Sequence, residues 1–226
     1  LPMYRYDAVL FDLDGTLLNT LEDLTDAVNH TLRQFGFPTR TADEVRQFVG
    51  NGVRMLIERV LPQGAADPAM EPALAEFRRY YTAHCDVHTH PYDGVPEMLA
   101  ALQEAGIRLG IVSNKNDSAV QALAETFFGS LVSVAVGGSD NIPRKPAPQM
   151  PLLALDTLNA TPERTLYVGD SDVDAQTALN AGMDCMLVSW GFRGRELLEA
   201  QHPRFLVDDA AEIPALVLQA ANEEDM

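Results

Sequence analysis

Cysteine and long apolar runs are both scarce in this chain of 226 residues, and each scarcity excludes a class of protein. Two cysteines, Cys85 and Cys185, are too few for a disulfide framework and favour a reducing compartment. The longest apolar run, Met98–Leu102, has five residues, against the roughly 20 that cross a bilayer. The first residues contain no apolar signal-peptide segment. We therefore expect a cytoplasmic protein without a membrane partner.

Positive charge is also scarce. The 16 basic and 33 acidic residues give a net charge of −17 and a pI near 4.5. A surface this acidic repels nucleic acids and anionic membranes at long range, so neither is expected as a partner. An anionic substrate would need local positive charge within its site, and a bound cation is the expected source.

Short apolar runs alternate with helical patterns along most of the chain. The runs are Ala8–Phe11, Ile107–Val112, Leu131–Val136, Leu166–Val168, Cys185–Val188 and Phe205–Val207. Brief runs rich in valine, leucine and isoleucine, without strict polar alternation, are typical of parallel strands buried on both faces. Strands joined by helices predict an α/β fold, a three-layer Rossmann-like core with a mostly parallel sheet.

One stretch departs from this alternation. Between about Leu21 and Tyr81, apolar residues recur at helical spacing and no strand pattern occurs. The stretch is divided into several helices by Pro38, Pro62 and Pro68. We predict an inserted helical cap domain over residues 19–85 and a core domain formed by residues 1–18 and 86–226.

A pair of aspartates follows the first predicted strand, in the sequence Phe-Asp-Leu-Asp-Gly-Thr of residues 11–16. Ligands of open α/β sheets bind at the carboxyl ends of the strands, where Asp12 and Asp14 would lie. Of two carboxylates at this spacing, one can form a covalent bond to an electrophile while the other transfers protons. Gly15 permits a sharp turn of the chain. Taken alone, the segment is equally well an ordinary Asp-rich turn.

A second group of aspartates follows a later strand, at positions 170, 172 and 174. It is no EF-hand loop, because Ala175 and Ala181 occupy the positions that require Gly and Glu. Carboxylates from two strands suit magnesium, which binds one or two carboxylates and a phosphate oxygen. Asp170 is the favoured ligand, whereas Asp172 is expected to be solvent-exposed or to cap a helix.

Two further polar segments follow predicted strands. Ser113 and Asn114 precede a helical run, and their hydroxyl and backbone N–H groups predict a phosphate cradle at a helix N-terminus, or a plain helix cap. Lys145 would offset the charge of crowded carboxylates and a phosphate, although a lysine is more often a surface residue.

The four segments together resemble the haloacid dehalogenase-like superfamily of phosphotransferases. Asp12-Leu13-Asp14-Gly15-Thr16 matches the first signature of that superfamily in full, and the resemblance covers essentially the whole chain. Within the superfamily the chain is most similar to the phosphoglycolate phosphatases, in residues 49–53, 113–115, 145–148 and 169–174. The resemblance implies hydrolysis of a small phosphate monoester, 2-phosphoglycolate, through an aspartyl-phosphate.

The resemblance also implies residue roles. Asp12 would attack phosphorus, and Asp14 would protonate the leaving oxygen and then activate water. Lys145 would neutralise charge on Asp12 and the phosphate. The phosphoryl group would be bound by Thr16, Ser113 and Asn114. Mg²⁺ would be held by Asp12, Asp170 and the Asp14 carbonyl, and Asp174 would orient a metal-bound water or Lys145.

In the predicted cap, Gly50-Asn51-Gly52 matches the substrate-specificity loop of the family. Arg54, just beyond the loop, would pair with a substrate carboxylate or be a plain helix-surface arginine. Two arginines in a later loop, Arg193 and Arg195, are open candidates for the mouth of the site.

His84, His88 and His90 lie close together in sequence with Cys85, which permits a metal site. No standard four-ligand spacing completes it, and a hinge with exposed histidines is favoured.

Other functions on this fold stay open at the sequence level. They are inorganic pyrophosphatase, sugar-phosphate phosphatase and phosphohexomutase; Gly169-Asp170 counts against the mutases, which tend to have Glu-Asp there. A phosphoacceptor signalling module is disfavoured because such domains are about half as long and lack the insertion. The expected partner is a small phosphate ester, and the expected state is a monomer or homodimer.

Overall fold

A computed structural model describes residues 4–219, so that residues 1–3 and 220–226 of the predicted core domain lie outside it. The strands are β1 (Ala8–Phe11), β2 (Leu18–Asn19), β3 (His90–Pro91), β4 (Arg108–Asn116), β5 (Val134–Gly138), β6 (Thr165–Gly169), β7 (Asp184–Val188) and β8 (Phe205–Val207). The α-helices are α1 (Leu21–Gln34), α2 (Ala42–Phe48), α3 (Val53–Val60), α4 (Met70–His84), α5 (Val95–Glu104), α6 (Asp117–Phe127), α7 (Gln149–Leu158), α8 (Asp172–Ala181), α9 (Arg195–Glu199) and α10 (Glu212–Val217). Short 3₁₀ turns occur at Gly64–Ala66, Gly129–Leu131 and Pro162–Arg164.

Six strands form one parallel sheet in the order β5, β4, β1, β6, β7, β8. The first strand therefore lies in the interior of the sheet, between β4 and β6. Its last residue, Phe11, is in register with Ile111 on one side and Val168 on the other. Because all three strands run in the same direction, the residues that follow them meet at one edge of the sheet.

The sheet is covered by helices on both faces. Val9 and Phe11 of β1 belong to one apolar cluster, whereas Ala8 and Leu10 belong to a second cluster on the opposite face. Helices α5, α6 and α10 contribute to the first cluster, and α7 and α8 contribute to the second. The burial of both faces explains why β1 lacks polar alternation. The predicted three-layer α/β fold is confirmed.

Helices α1 to α4 form an insertion between β2 and β3. These two short strands pair antiparallel, with Leu18 opposite Pro91, and so bring the two ends of the insertion together. The buried residues of the insertion, such as Leu24 and Phe77, are continuous with the first apolar cluster of the core. Helix α2 begins with a capping box in which Thr41 and Glu44 each accept a backbone N–H of the other.

All six predicted strands occur in the structure, but four of them differ from it in their bounds by one to four residues. Ala8–Phe11 and Phe205–Val207 are confirmed as predicted, but β5 starts at Val134 because residues 129–131 form a 3₁₀ turn. The placement of Ser113 and Asn114 after a strand, at a helix N-terminus, is wrong. The pairing of Asn116 with Gly138 extends β4 past them, and α6 starts only at Asp117.

The short β2–β3 pairing was not predicted, because two-residue strands carry no periodic signal. Within residues 4–219, every helix is too short or too polar to cross a bilayer.

Candidate active site

A cavity opens where the carboxyl ends of β1, β4 and β6 meet the insertion. It contains about 590 Å³ of empty space, counting its opening to solvent. Its polar and glycine lining comprises Asp12, Asp14, Gly50, Gly52, Ser113, Asn114, Lys115, Lys145, Asp170, Ser171 and Arg193. Its apolar lining comprises Leu24, Val49, Val53, Leu56 and Phe192. All the acidic side chains thus come from the core, and the aliphatic ones come from the insertion.

Asp12 is fixed directly after β1 by its neighbours. Its backbone N–H donates to the carbonyl of Val168 at 2.9 Å, and its Oδ1 accepts the N–H of Leu13 at 2.7 Å. The ammonium of Lys145 lies 3.0 Å from the same Oδ1. Burial raises the pKa of Asp12, and the charge of Lys145 opposes that rise. Among residues 4–219 no donor binds Oδ2, which is therefore available to a ligand in the cavity.

Lys145 reaches the cavity from the loop after β5, and Asn114 fixes its backbone. The Asn114 side chain accepts the N–H of Lys145 at 2.8 Å and donates to its carbonyl at 3.0 Å; the following peptide bond, to Pro146, is cis. The Lys145 ammonium also donates to Asp174 at 2.8 Å. Burial disfavours its charge, but Asp12 and Asp174 outweigh that effect and raise the pKa of Lys145, which stays protonated.

Both carboxylate oxygens of Asp174 accept hydrogen bonds from groups of the protein. One carboxylate oxygen accepts from Lys145, and the other accepts the Ser171 hydroxyl at 2.7 Å and the Asp170 N–H at 3.1 Å. A Cβ on Gly169 would lie 2.2 Å from this carboxylate, so only glycine fits there. The role that the resemblance implies for Asp174, orienting a metal-bound water or Lys145, stays a prediction.

Asp170 lies in a tight cradle of glycines. A Cβ on Gly15 or on Gly191 would come within 2.4 Å of its carboxylate, and Gly15 also has a φ of +82°. Its Oδ2 accepts the N–H of Phe192 at 2.6 Å. Burial, then the charges of Asp174 and Asp12, raise the pKa of Asp170.

The three carboxylates form a donor set for a hard cation. Oxygens of Asp12, Asp170 and Asp174 lie within 4.8 Å of one another. A single ammonium, Lys145, is in direct contact with two of them. All-oxygen ligands and uncompensated negative charge fit a divalent cation such as magnesium.

Asp14 has partners of its own. Its Oδ1 accepts the hydroxyl of Thr20 at 2.7 Å and the ammonium of Lys115 at 2.7 Å. Lys115 is not among the site residues predicted from the sequence. The missed signal is composition: the chain has two lysines, Lys115 and Lys145, and both line this cavity.

Three residues with predicted binding roles do not line the cavity. Thr16 is buried, and its carbonyl accepts the indole N–H of Trp190 at 3.0 Å. The Asn51 side chain accepts from Arg59 at 2.9 Å. Arg54 pairs with Glu71 through bonds of 2.8 and 3.0 Å, on the exposed surface. This position agrees with the alternative prediction for Arg54, a plain arginine on the surface of a helix.

Arg193, one of the open candidates, does line the cavity. Its guanidinium donates to the carbonyls of Arg46 and Val49, at 2.9 and 2.6 Å, and so ties the core to the C-terminal end of α2. Asn114 adds a second tie, donating to the carbonyl of Gly50 at 3.2 Å. Arg195 lies elsewhere, paired with Glu199 and Asp208.

The histidines near the end of the insertion do not converge on one centre. The His84 ring stacks on Tyr80, whereas His90 contacts the backbone carbonyl of His88. Within the described part of the chain, the only triad of acidic, histidine or cysteine side chains close enough to hold a metal is Asp12, Asp170 and Asp174.

Comparison with known proteins agrees with this geometry. The family model for haloacid dehalogenase-like hydrolases matches residues 9–188. The phosphoglycolate phosphatase of Aquifex aeolicus is 33% identical over 92% of this chain and 95% of its own. The N-acetylmuramic acid 6-phosphate phosphatase of Pseudomonas aeruginosa is 33% identical over 90% and 94%.

A solved structure extends the likeness to three dimensions. The crystal structure of a candidate phosphoglycolate phosphatase from Lactobacillus delbrueckii subsp. bulgaricus superimposes with a TM-score of 0.89 at 33% identity, covering 96% of this chain and 99% of that one. The chain therefore belongs to the haloacid dehalogenase-like hydrolases, as its motifs indicate.

Proposed function

We propose that the protein is a magnesium-dependent phosphatase that hydrolyses a small phosphate monoester, 2-phosphoglycolate, through an aspartyl-phosphate. One observation carries the proposal. Asp12 and Asp14 line the same cavity, but each has its own ammonium partner, Lys145 for the first and Lys115 for the second. Two carboxylates in different environments can act as nucleophile and as proton carrier.

In the first step, Asp12 Oδ2 attacks phosphorus while the bond from phosphorus to the leaving oxygen breaks. Asp14 gives a proton to that oxygen, and the alcohol departs. Ser113 suits the phosphoryl oxygens because it lines the cavity and its hydroxyl oxygen already accepts the N–H of Lys115 at 3.2 Å, which leaves the hydroxyl proton free to be donated. Lys145 neutralises charge on the nucleophile and the phosphoryl group.

In the second step, Asp14 takes a proton from water, which attacks the phosphorus of the aspartyl-phosphate. The bond between Asp12 and phosphorus breaks, and the products are phosphate and the free Asp12 carboxylate. Phosphoryl transfer depends mainly on positioning and charge neutralisation, and both are present around Asp12.

Mg²⁺ would be held by Asp12, Asp170 and the backbone carbonyl of Asp14, and when bound it supplies charge stabilisation to the phosphoryl oxygens. The glycine cradle of Asp170 and the all-oxygen donor set support this assignment. Asp174, whose oxygens already accept three protein donors, is assigned to orient Lys145 and metal-bound water.

The insertion is assigned as a cap over residues 19–85, with the core formed by residues 1–18 and 86–226. Its aliphatic side chains form the wall of the cavity opposite the carboxylates, where they would exclude water and contact the leaving group. Gly50 and Gly52, which line the cavity, are the loop residues assigned to this contact. Arg193 takes the place of Arg54 as the arginine at the cavity wall.

The substrate assignment rests on the relatives. The phosphoglycolate phosphatase of Aquifex aeolicus supports 2-phosphoglycolate, and the N-acetylmuramic acid 6-phosphate phosphatase supports a sugar phosphate as the second candidate. A cytoplasmic location, a monomeric or homodimeric state and the lack of nucleic-acid or membrane partners stay predictions from the sequence.

The test is phosphate release, measured with magnesium and then with EDTA. The panel comprises 2-phosphoglycolate, N-acetylmuramic acid 6-phosphate, other sugar phosphates, pyrophosphate and an aryl phosphate. We expect turnover of 2-phosphoglycolate to exceed the rest and to stop in EDTA. Faster turnover of a sugar phosphate or pyrophosphate would keep the mechanism and replace the substrate. Substrate consumption without phosphate release would indicate a mutase and refute the proposal.

A further inference from the structure

We infer that Lys115 is a positioning residue for Asp14, and that Tyr81 of the insertion holds Lys115 in place. The inference rests on the proposed function, because it takes Asp14 as the group that exchanges a proton with the leaving oxygen. It gives Lys115 and Tyr81 a role that the family motifs do not assign to them.

The two carboxylate oxygens of Asp14 have different surroundings. Both protein donors, the Lys115 ammonium and the Thr20 hydroxyl, bind Oδ1 at 2.7 Å. No donor among residues 4–219 binds Oδ2. A carboxylate held at one oxygen by two donors has little freedom to rotate, so Oδ2 is the oxygen left for a ligand in the cavity that Asp14 lines.

The Lys115 side chain is held in place by its surroundings. A lysine ammonium on a flexible stem is a poor positioning group unless it is itself fixed. The Lys115 side chain is 3% exposed, and its ammonium lies over the ring of Tyr81, 4.6 Å from the ring centre. The ammonium therefore lies between the Asp14 carboxylate and the Tyr81 ring, and both contacts are buried.

Lys115 and its two partners come from different parts of the fold. Asp14 follows β1 and Lys115 lies in β4, so both belong to the core, whereas Tyr81 belongs to α4 of the insertion. A movement of α4 away from β4 would withdraw the Tyr81 ring from Lys115. The orientation of Asp14 is thereby tied to the seating of the insertion on the core.

The test compares two leaving groups. An alkyl leaving group such as glycolate needs the proton of Asp14, whereas 2,4-dinitrophenolate leaves as a stable anion. We expect Lys115→Met to lower kcat on 2-phosphoglycolate at least about tenfold more than kcat on 2,4-dinitrophenyl phosphate, as loss of acid assistance would. KM for both should change little. Tyr81→Leu should give the same pattern with a smaller loss.

The matched control is Arg195→Met, which removes one positive charge at a residue that is paired with Glu199 and Asp208 and does not line the cavity. It should leave both activities unchanged. Equal losses on the two substrates in Lys115→Met would overturn the inference, because Lys115 would then act on the phosphoryl group or on folding.

A second measurement does not need activity. Since the chain has two lysines, protein labelled with ¹³C and ¹⁵N in lysine gives two side-chain ammonium signals. Asp14→Asn should shift one of them, the Lys115 signal, and Asp174→Asn should shift the other. If Asp14→Asn shifts neither signal, or the same one as Asp174→Asn, the inference fails. Wild-type protein that releases no phosphate from either ester would refute the proposed function, and the lysine spectra would still decide the contact.

Discussion

Lys145 donates to Asp174 at 2.8 Å, and both side chains are almost completely excluded from solvent. The pair explains how a flexible lysine is held beside Asp12. Asp174 is fixed at the start of α8 by the Ser171 hydroxyl, and it in turn holds the ammonium 3.0 Å from Asp12. Lys145 is therefore part of both the folded core and the site.

Lys145→Ala should reduce both stability and activity. Removing one partner of a buried pair leaves its carboxylates uncompensated, at a cost of about 3 to 5 kcal/mol. Denaturant unfolding at neutral pH measures this loss. The double variant Lys145→Ala/Asp174→Asn should recover part of it, because one buried charge is then removed. A double variant no more stable than the single one would contradict the pairing.

Asp12→Asn should retain the fold and lose at least three decades of kcat, roughly 4 kcal/mol of barrier. An amide cannot form the acyl phosphate, whereas Lys145→Ala removes only charge stabilisation and should lose less. The measurement is phosphate release by folded variants, with circular dichroism as the control. Near-normal turnover by Asp12→Asn would rule out this residue as the nucleophile.

Magnesium should stabilise the protein more at pH 8 than at pH 5. Without a cation, burial raises the pKa of Asp12 to about 7, and it also raises the pKa of Asp170. A carboxyl group whose pKa is raised by folding stabilises the folded state at pH values below its unfolded pKa, about 4. That stabilisation is lost as the pH rises through the folded pKa. A bound cation offsets the negative charge of the ionised carboxylates. At pH values below the folded pKa, the cation competes with protons for the same oxygens.

Thermal melting in saturating magnesium and in EDTA, at both pH values, measures this effect. Cation at about 100 times its Kd adds roughly 2.7 kcal/mol. The gain should be strongly reduced in Asp170→Asn. An equal gain in that variant would place the cation elsewhere.

Arg54→Ala and Arg193→Ala should separate the two candidate arginines. Arg54 is paired with Glu71 on the exposed surface, so its loss should change kcat/KM less than about twofold, as for other surface substitutions. Arg193 donates to two carbonyls at the end of α2 beside the cavity, so its loss should lower kcat/KM about tenfold or more. A larger effect from Arg54→Ala would restore its predicted contact with substrate.

Much of the fold was predictable because the sheet is regular. Strands β1 and β8 were predicted at their observed bounds, since a strand buried on both faces requires a continuous apolar run. The helical insertion was predictable from the period of its apolar residues. Strands β2 and β3 were not predictable, because each has two residues and exists through pairing across the whole insertion.

The candidate site was likewise predictable only in part. The motifs of the candidate site can be located from the sequence, because Asp12, Asp14, Lys145 and Asp170 lie in local patterns next to buried strands. The contacts of each side chain depend on the tertiary structure. Asn114 holds the backbone of Lys145, and Arg54 turns away from the cavity. Lys115 becomes a partner of Asp14 through strand order and burial, which are long-range properties that no local spacing encodes.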